Sequence, residues 1–206
     1  YHIPLLRGYG LFYLLSLISV FIISQKFLNF QEYALIITSC LIGFYDDKNG
    51  ISQRKKLVIL SCIIIIFSIY NTDFNEEYNV IFFKYFFNLL SFIFLVLFFN
   101  QIDGINGLAA ITFLIALFFI SLLSSIIIQM LPIFVAVLLY LYINMKGNIA
   151  IQGESGSFFM GSIIYILLNK NFNIEEHFYG LVILGPVLFD IIATTTIRFI
   201  YNKNLF

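Results

Sequence analysis

Apolar runs long enough to enter a bilayer recur along the whole chain and leave it little else to fold with. They cover 10–25, 33–45, 57–70, 82–99, 107–125, 130–144, 158–169 and 178–197, about eight candidate spans. The runs do not alternate in strand fashion, which argues against a β-barrel. Hydrophobic residues make up 61% of the 206, charged residues 11%, and mean hydropathy is +1.00. An ordinary soluble domain does not have this composition. The polar stretches between runs stay below about 15 residues, too short for a core of their own. The expected fold class is all-α: a polytopic transmembrane helical bundle, one integral membrane domain over 1–206. Several runs are short and need tilt or neighbours to fit. Only Ser124 to Gln129 separate the fifth run from the sixth, so the count is least secure there.

Alternating the loops sorts the charges. One side takes 1–9, 46–56, 100–106, 145–157 and 198–206, with Arg7, Lys48, Arg54, Lys55, Lys56, Lys146, Arg198 and Lys203. These are eight of the eleven basic residues. That side is expected to be cytoplasmic by the positive-inside rule. Glu32, Asp73, Glu76, Glu77, Glu175 and Glu176 fall on the other side and read as solvated loop charges. Asp46, Asp47, Asp103, Glu154 and Asp190 gather on the inner side, each at or beside a span end. Five carboxylates at one surface repel one another unless cations neutralise them. A divalent metal and the basic residues of the same loops are the expected means. Zero net charge gives no reason to expect nucleic acid. Cys40 and Cys62 lie in apolar runs without metal-like spacing and are expected in the core.

Four inner stretches combine acids with glycine, amide or hydroxyl groups. The central one, Asn100-Gln101-Ile102-Asp103-Gly104-Ile105-Asn106-Gly107-Leu108-Ala109, interrupts two apolar runs with a carboxylate, carboxamides and glycines. An ordinary capped loop explains it alone; three similar stretches on the same side favour a site. In Gly43-Phe44-Tyr45-Asp46-Asp47-Lys48, adjacent side chains on a helix diverge by about 100°, so the two acids suit two jobs rather than one clamp. The following Arg54, Lys55 and Lys56 either anchor topology or attract phosphate. Gly153-Glu154-Ser155-Gly156-Ser157 opens an apolar run, where free backbone N–H groups and hydroxyls would suit a phosphate. Gly185-Pro186-Val187-Leu188-Phe189-Asp190 puts an acid inside an apolar run. At the N-terminus, Arg7 before Gly8-Tyr9-Gly10 either grips phosphate or anchors the first span.

Together these stretches resemble the polyprenyl-phosphate N-acetylhexosamine-1-phosphate transferase family, in family order over most of the chain. Asp46-Asp47 with the Gly-Ile-Ser-x-Arg-x-Lys that ends at Lys56 resembles the family's aspartate pair and lysine segment. Asn100 to Ala109 resembles its central signature and is the most specific piece. Gly153 to Ser157 resembles its Gly-Asp-x-Gly-Ser metal loop, and Pro186 to Asp190 its later Pro-x-x-Asp element. His2-x-x-Pro4-x-x-Arg7-Gly8-x-Gly10 is similar to the N-terminal element of the glycan-initiating branch, more than to the peptidoglycan branch.

The resemblance implies transfer of a sugar-1-phosphate from a UDP-N-acetylhexosamine to polyprenyl phosphate, with release of UMP. It implies magnesium, with manganese as a substitute, held by Glu154 and less certainly by Asp103. Asp46 would engage or deprotonate the lipid phosphate, and Asp47 would orient a basic partner or the nucleotide. With Asp103 and Lys56 they form the expected catalytic set. Lys56 and Arg7 would bind phosphates, Asn100 and Asn106 the nucleotide or sugar, and Gly153 and Ser155 would also face substrate. The expected location is the bacterial inner membrane, with the site facing the cytoplasm; a homodimer is compatible with this reading. Glu154 stands where the family has Asp, and its carboxylate reaches one methylene further toward a geometrically demanding ion. Asn106 replaces the family's second Asp. These substitutions leave open a divergent or weakly active enzyme. The family's histidine-rich loop and a first span are missing, so the chain is expected to be a fragment of a protein of about ten or eleven spans. The rival from another class is a transporter for an anionic lipid, which would place its charges near the bilayer midplane.

Overall fold

The structure, a computed structural model, describes residues 8–23, 27–70, 78–104, 107–147 and 152–171, together with 184, 185 and 189. Among these residues the chain forms seven helices and no strand: α1 (Gly10–Ile23), α2 (Phe30–Asn49), α3 (Gln53–Tyr70), α4 (Tyr78–Ile102), α5 (Leu108–Leu123), α6 (Ile127–Gly147) and α7 (Gly153–Asn171). Each of the first seven apolar runs carries one helix; most of the eighth lies outside the described residues. Two stretches, Ile81–Ile102 and Ile127–Lys146, are long and apolar enough to cross a membrane; α1 and α5 are apolar but shorter. The outward faces carry large apolar side chains, with Ile22 68%, Phe82 73% and Ile128 68% exposed.

The break between the fifth and sixth runs is a real turn. The Ser124 N–H bonds the Ile120 carbonyl, and the Ile126 N–H reaches back to Ser121. Ser125 takes a positive φ of 58°. Four residues at the end of α5 therefore reverse the chain with their backbone groups satisfied.

The bundle is built round α7, whose residues from Ser155 to Leu168 are all buried. Helices α1, α2, α4 and α5 surround it. Three glycines set the close approaches. A Cβ on Gly10 would lie 2.3 Å from the Ser155 carbonyl carbon, and one on Gly43 would lie 2.5 Å from the Glu154 carbonyl oxygen. A Cβ on Gly161 of α7 would lie 2.6 Å from Val96 Cα in α4. Small residues that bring helix backbones together are what apolar helices need where no water drives them together. Phe92, Phe158, Phe159 and Tyr165 fill the space farther along, each fully buried, with Phe92 edge-on to Tyr165 at 5.3 Å.

Two expectations are corrected at this level. Glu32 is not a solvated loop charge: it is 8% exposed. Its Oε2 accepts the Asn29 N–H at 2.7 Å, and Lys170 Nζ lies 3.1 Å from the same oxygen. One side chain thus caps the start of α2 and ties it to the end of α7, which sequence distance concealed. Cys40 is buried as expected, but Cys62 faces outward.

Candidate functional site

The end of α2, the start of α3, the end of α4 and the start of α7 converge at one end of the bundle. Asp46 and Asp47 lie in the last turn of α2, and their side chains part as the helical angle requires. Asp46 turns toward α3. Its Oδ2 lies 2.5 Å from Lys56 Nζ, and its Oδ1 accepts the Ile51 N–H in the tight link from α2 to α3. Lys56, 2% exposed in the first turns of α3, also reaches Glu154 Oε1 at 2.8 Å. The other Glu154 oxygen accepts from Asn100 Nδ2 at the end of α4. The Phe158 ring lies 5.9 Å from the ammonium. Lys56 is therefore the hub of a network drawn from four helices. Arg54 and Lys55 are exposed and stay outside it.

Asp47 turns toward α7 instead. Its Oδ1 accepts the Glu154 N–H at 2.9 Å and its Oδ2 the Ser155 N–H at 3.1 Å. The Gly153 N–H bonds Asp103. Carboxylates from two other helix ends thus take up the orphan donors of α7 and face its positive pole. Glycine is needed at 153: φ is +73°, and a Cβ there would lie 2.6 Å from Asp47 Oδ2. This corrects the expectation of N–H groups free for phosphate. The protein's own carboxylates occupy that position, and Ser155 is fully buried, so neither Gly153 nor Ser155 presents its N–H to a ligand in this arrangement. Arg7, Asn106 and Asp190 lie outside the described residues.

The electrostatics follow from two acids, Asp46 and Glu154, sharing the buried Lys56 ammonium, with Asp47 and Asp103 nearby on backbone N–H groups. Burial raises the Glu154 pKa, and the hydrogen bond and charge of Lys56 only partly offset it. For Lys56, burial acts downward, but the hydrogen bonds to Asp46 and Glu154 outweigh it and the pKa is raised. Among the described residues no basic group acts on Asp103. Burial pushes it up to about 7, with the Gly153 N–H acting downward and the charges of Asp47 and Glu154 upward. Folded protein therefore holds a proton on Asp103 that the unfolded chain releases at ordinary carboxylate pH. Stability from this group is full below about pH 4 and is lost as pH rises toward about 7. The wild-type unfolding midpoint in detergent should fall between about pH 5 and pH 8, and Asp103→Asn should flatten that fall. Equal slopes for the two proteins would mean that Asp103 titrates normally.

Tyrosines that sequence reasoning did not single out lie beside Asp103. Tyr13 and Tyr140 lie close enough to feel the charge of its carboxylate. The Tyr140 hydroxyl accepts the Gln152 N–H at 3.2 Å, and the Tyr9 ring packs against that of Tyr140 in a tilted arrangement, centroids 5.1 Å apart. Gln152, fully buried, holds the link before α7 with its amide 3.0 Å from Met160 Sδ. The only signal in the sequence was polar-tipped aromatics at the inner ends of two apolar runs.

Among the described residues no three His, Cys, Asp or Glu side chains form a group that could hold a metal ion. Asp46 Oδ2 and Glu154 Oε1 do converge on one cationic position, that of Lys56 Nζ. A pair of carboxylates fits magnesium, which keeps several waters and takes its other ligands from substrate phosphates.

A family model described as Glycosyl transferase family 4 matches residues 30–170, which takes in α2 to α6, all but the last residue of α7, and Asp46, Asp47, Lys56, Asn100, Asp103 and Glu154. No curated protein and no solved structure matches the chain.

Proposed function

This chain belongs to glycosyl transferase family 4, the family of UDP-N-acetylglucosamine:undecaprenyl-phosphate transferases and phospho-N-acetylmuramoyl-pentapeptide transferases, and from that premise we propose that it transfers a sugar-1-phosphate from a UDP-N-acetylhexosamine to polyprenyl phosphate. The observation that carries this reading is the Lys56 network: acids, an amide and a buried ammonium from four helices meet at one end of the bundle. A lipid phosphate oxygen attacks the β-phosphorus of the nucleotide sugar. The bond from that phosphorus to the bridging oxygen breaks, and UMP leaves with the electron pair. Asp46 takes the second proton of the lipid monophosphate, the one proton in the reaction that is not already lost at neutral pH. Lys56 and Arg7 hold phosphates, and Asn100 and Asn106 address the nucleotide or sugar. Asp47 and Asp103 fix the start of α7 and so the position of Glu154. Glu154 and Asp46 would hold magnesium, which when bound supplies charge neutralisation at the pyrophosphate. Positioning and charge are most of what phosphoryl transfer asks of a protein.

The apolar outward faces support a membrane bundle. The basic residues Lys48, Arg54, Lys55, Lys56 and Lys146 fall in the same inner stretches of sequence as the acids, which supports a cytoplasm-facing site in a bacterial inner membrane. Gathering of the charges at helix ends, away from the middle of the bundle, favours the transferase over a lipid transporter. The test is release of radiolabelled UMP from a panel of UDP-N-acetylhexosamines and UDP-muramoyl-pentapeptide. It uses membranes carrying the complete reading frame, polyprenyl phosphate, and magnesium or EDTA. Release that needs both metal and lipid is expected, and the preferred donor assigns the branch. Absence of release with every donor would overturn the reading.

A further inference from the structure

Asp46 and Glu154 each use one carboxylate oxygen for anchoring and aim the other at a common point. Asp46 Oδ1 is tied to the Ile51 N–H and Glu154 Oε2 to Asn100, which leaves Asp46 Oδ2 and Glu154 Oε1 for a cation. The anchors come from backbone and a carboxamide, so they hold the seat in place whichever cation fills it. In this structure it is filled by the Lys56 ammonium, at 2.5 and 2.8 Å. Asp46 and Glu154 would hold magnesium through the carboxylates that Lys56 Nζ contacts at 2.5 and 2.8 Å. Two cations cannot share the seat.

We propose that Lys56 is an internal cation that competes with the divalent ion for the Asp46–Glu154 seat, so that metal binding expels the lysine and makes its ammonium available to the phosphates of the substrate. This rests on the metal-dependent transferase reading above. The charges favour the exchange. With Lys56 seated, the pair carries one uncompensated negative charge; with a divalent ion it carries none, and the released positive charge meets an anionic substrate. The route out is short. Lys56 lies in the first turn of α3, and Ser52, Gln53, Arg54 and Lys55 just before it are solvent-exposed, so rotation of the flexible four-carbon stem is the route by which the ammonium leaves the seat. Lys56 then acts as a positioning group whose availability reports metal loading, and metal and substrate bind cooperatively.

The wild-type protein tests this without substitution. Purified full-length protein in detergent micelles is treated with an amine-acylating reagent, with and without manganese, and labelling is read by mass spectrometry of the Lys56 peptide. Exposed Lys55 serves as the internal reference. Lys56 should be protected without metal and become labelled at least about tenfold faster with it, as a buried amine does once its partner is replaced. Glu154→Gln should abolish the metal response. In parallel, manganese binding is measured by electron paramagnetic resonance on wild type and Lys56→Gln. The variant should bind at least about tenfold more tightly, because the competing like charge is gone. Bound manganese with Lys56 still protected, or weaker binding by Lys56→Gln, would overturn the competition and leave the transferase reading intact. Failure of both proteins to bind manganese at all would overturn the competition together with the metal-dependent part of that reading.

Discussion

Lys56→Met is expected to lower stability by about 3 kcal/mol, the low end of the range for breaking a buried ion pair, and to eliminate measurable UMP release. The low end applies because Lys56 and Asp46 side chains are 3% and 6% exposed while Glu154 is 25% exposed and retains some water. Removing the ammonium leaves two carboxylates facing one another across the seat. Unfolding in mixed detergent–SDS micelles reads the stability change. Manganese should restore part of it by filling the vacant charge, since any ligand that binds only the folded state stabilises it. A Lys56→Met protein as stable as wild type would show that the ion pairs contribute little and that the network is solvated.

Gly43→Ala is expected to cost at least about 100-fold in kcat/KM, the penalty for roughly 1 Å of misplacement at a reacting centre. The added methyl would lie 2.5 Å from the Glu154 carbonyl oxygen and 2.6 Å from the Ser155 nitrogen, both backbone atoms that cannot rotate away. Helix α2 must then move off α7, which draws Asp47 away from the N–H groups it caps and Asp46 away from the Lys56 seat. Overpacking of this kind also costs about 1–3 kcal/mol of stability. Leu41→Ala, two residues earlier on the outward face and 47% exposed, is the control and should leave kcat/KM within about twofold, as surface changes away from such features do. Equal behaviour of the two variants would mean that the α2–α7 contact does not position the site.

The difference between these variants marks what the sequence could and could not disclose. The apolar runs located the described helices because their length and continuity leave no competing structure, and Ser124 to Gln129 marked the one doubtful break. The helical angle between Asp46 and Asp47 already separated their tasks. What each acid turns toward was not legible, because the partners are distant in sequence: Lys56 meets Glu154 across 98 residues, and Asp47 meets the Glu154 N–H across 107. A Gly-acid-Ser-Gly-Ser run opening a helix reads as an open anion site whether or not another carboxylate already fills it. Gly43 looked like part of a polar stretch, and only packing shows that its missing side chain is what lets α2 touch α7. Glu32 read as a loop charge for the same reason, since Lys170 lies 138 residues away.

In the proposed reaction the β-phosphorus of the nucleotide sugar moves to a lipid phosphate at this network. Membranes carrying the full reading frame are incubated with UDP-N-acetylglucosamine labelled with radioactive phosphorus at the β position, or with whichever donor the UMP assay selects, and extracted with organic solvent. Label is expected in the lipid phase as a pyrophosphate-linked sugar, with unlabelled UMP in the aqueous phase and loss of both with EDTA or with Glu154→Gln. Label that stays in the aqueous phase, in protein shown to be folded, would contradict the proposed reaction.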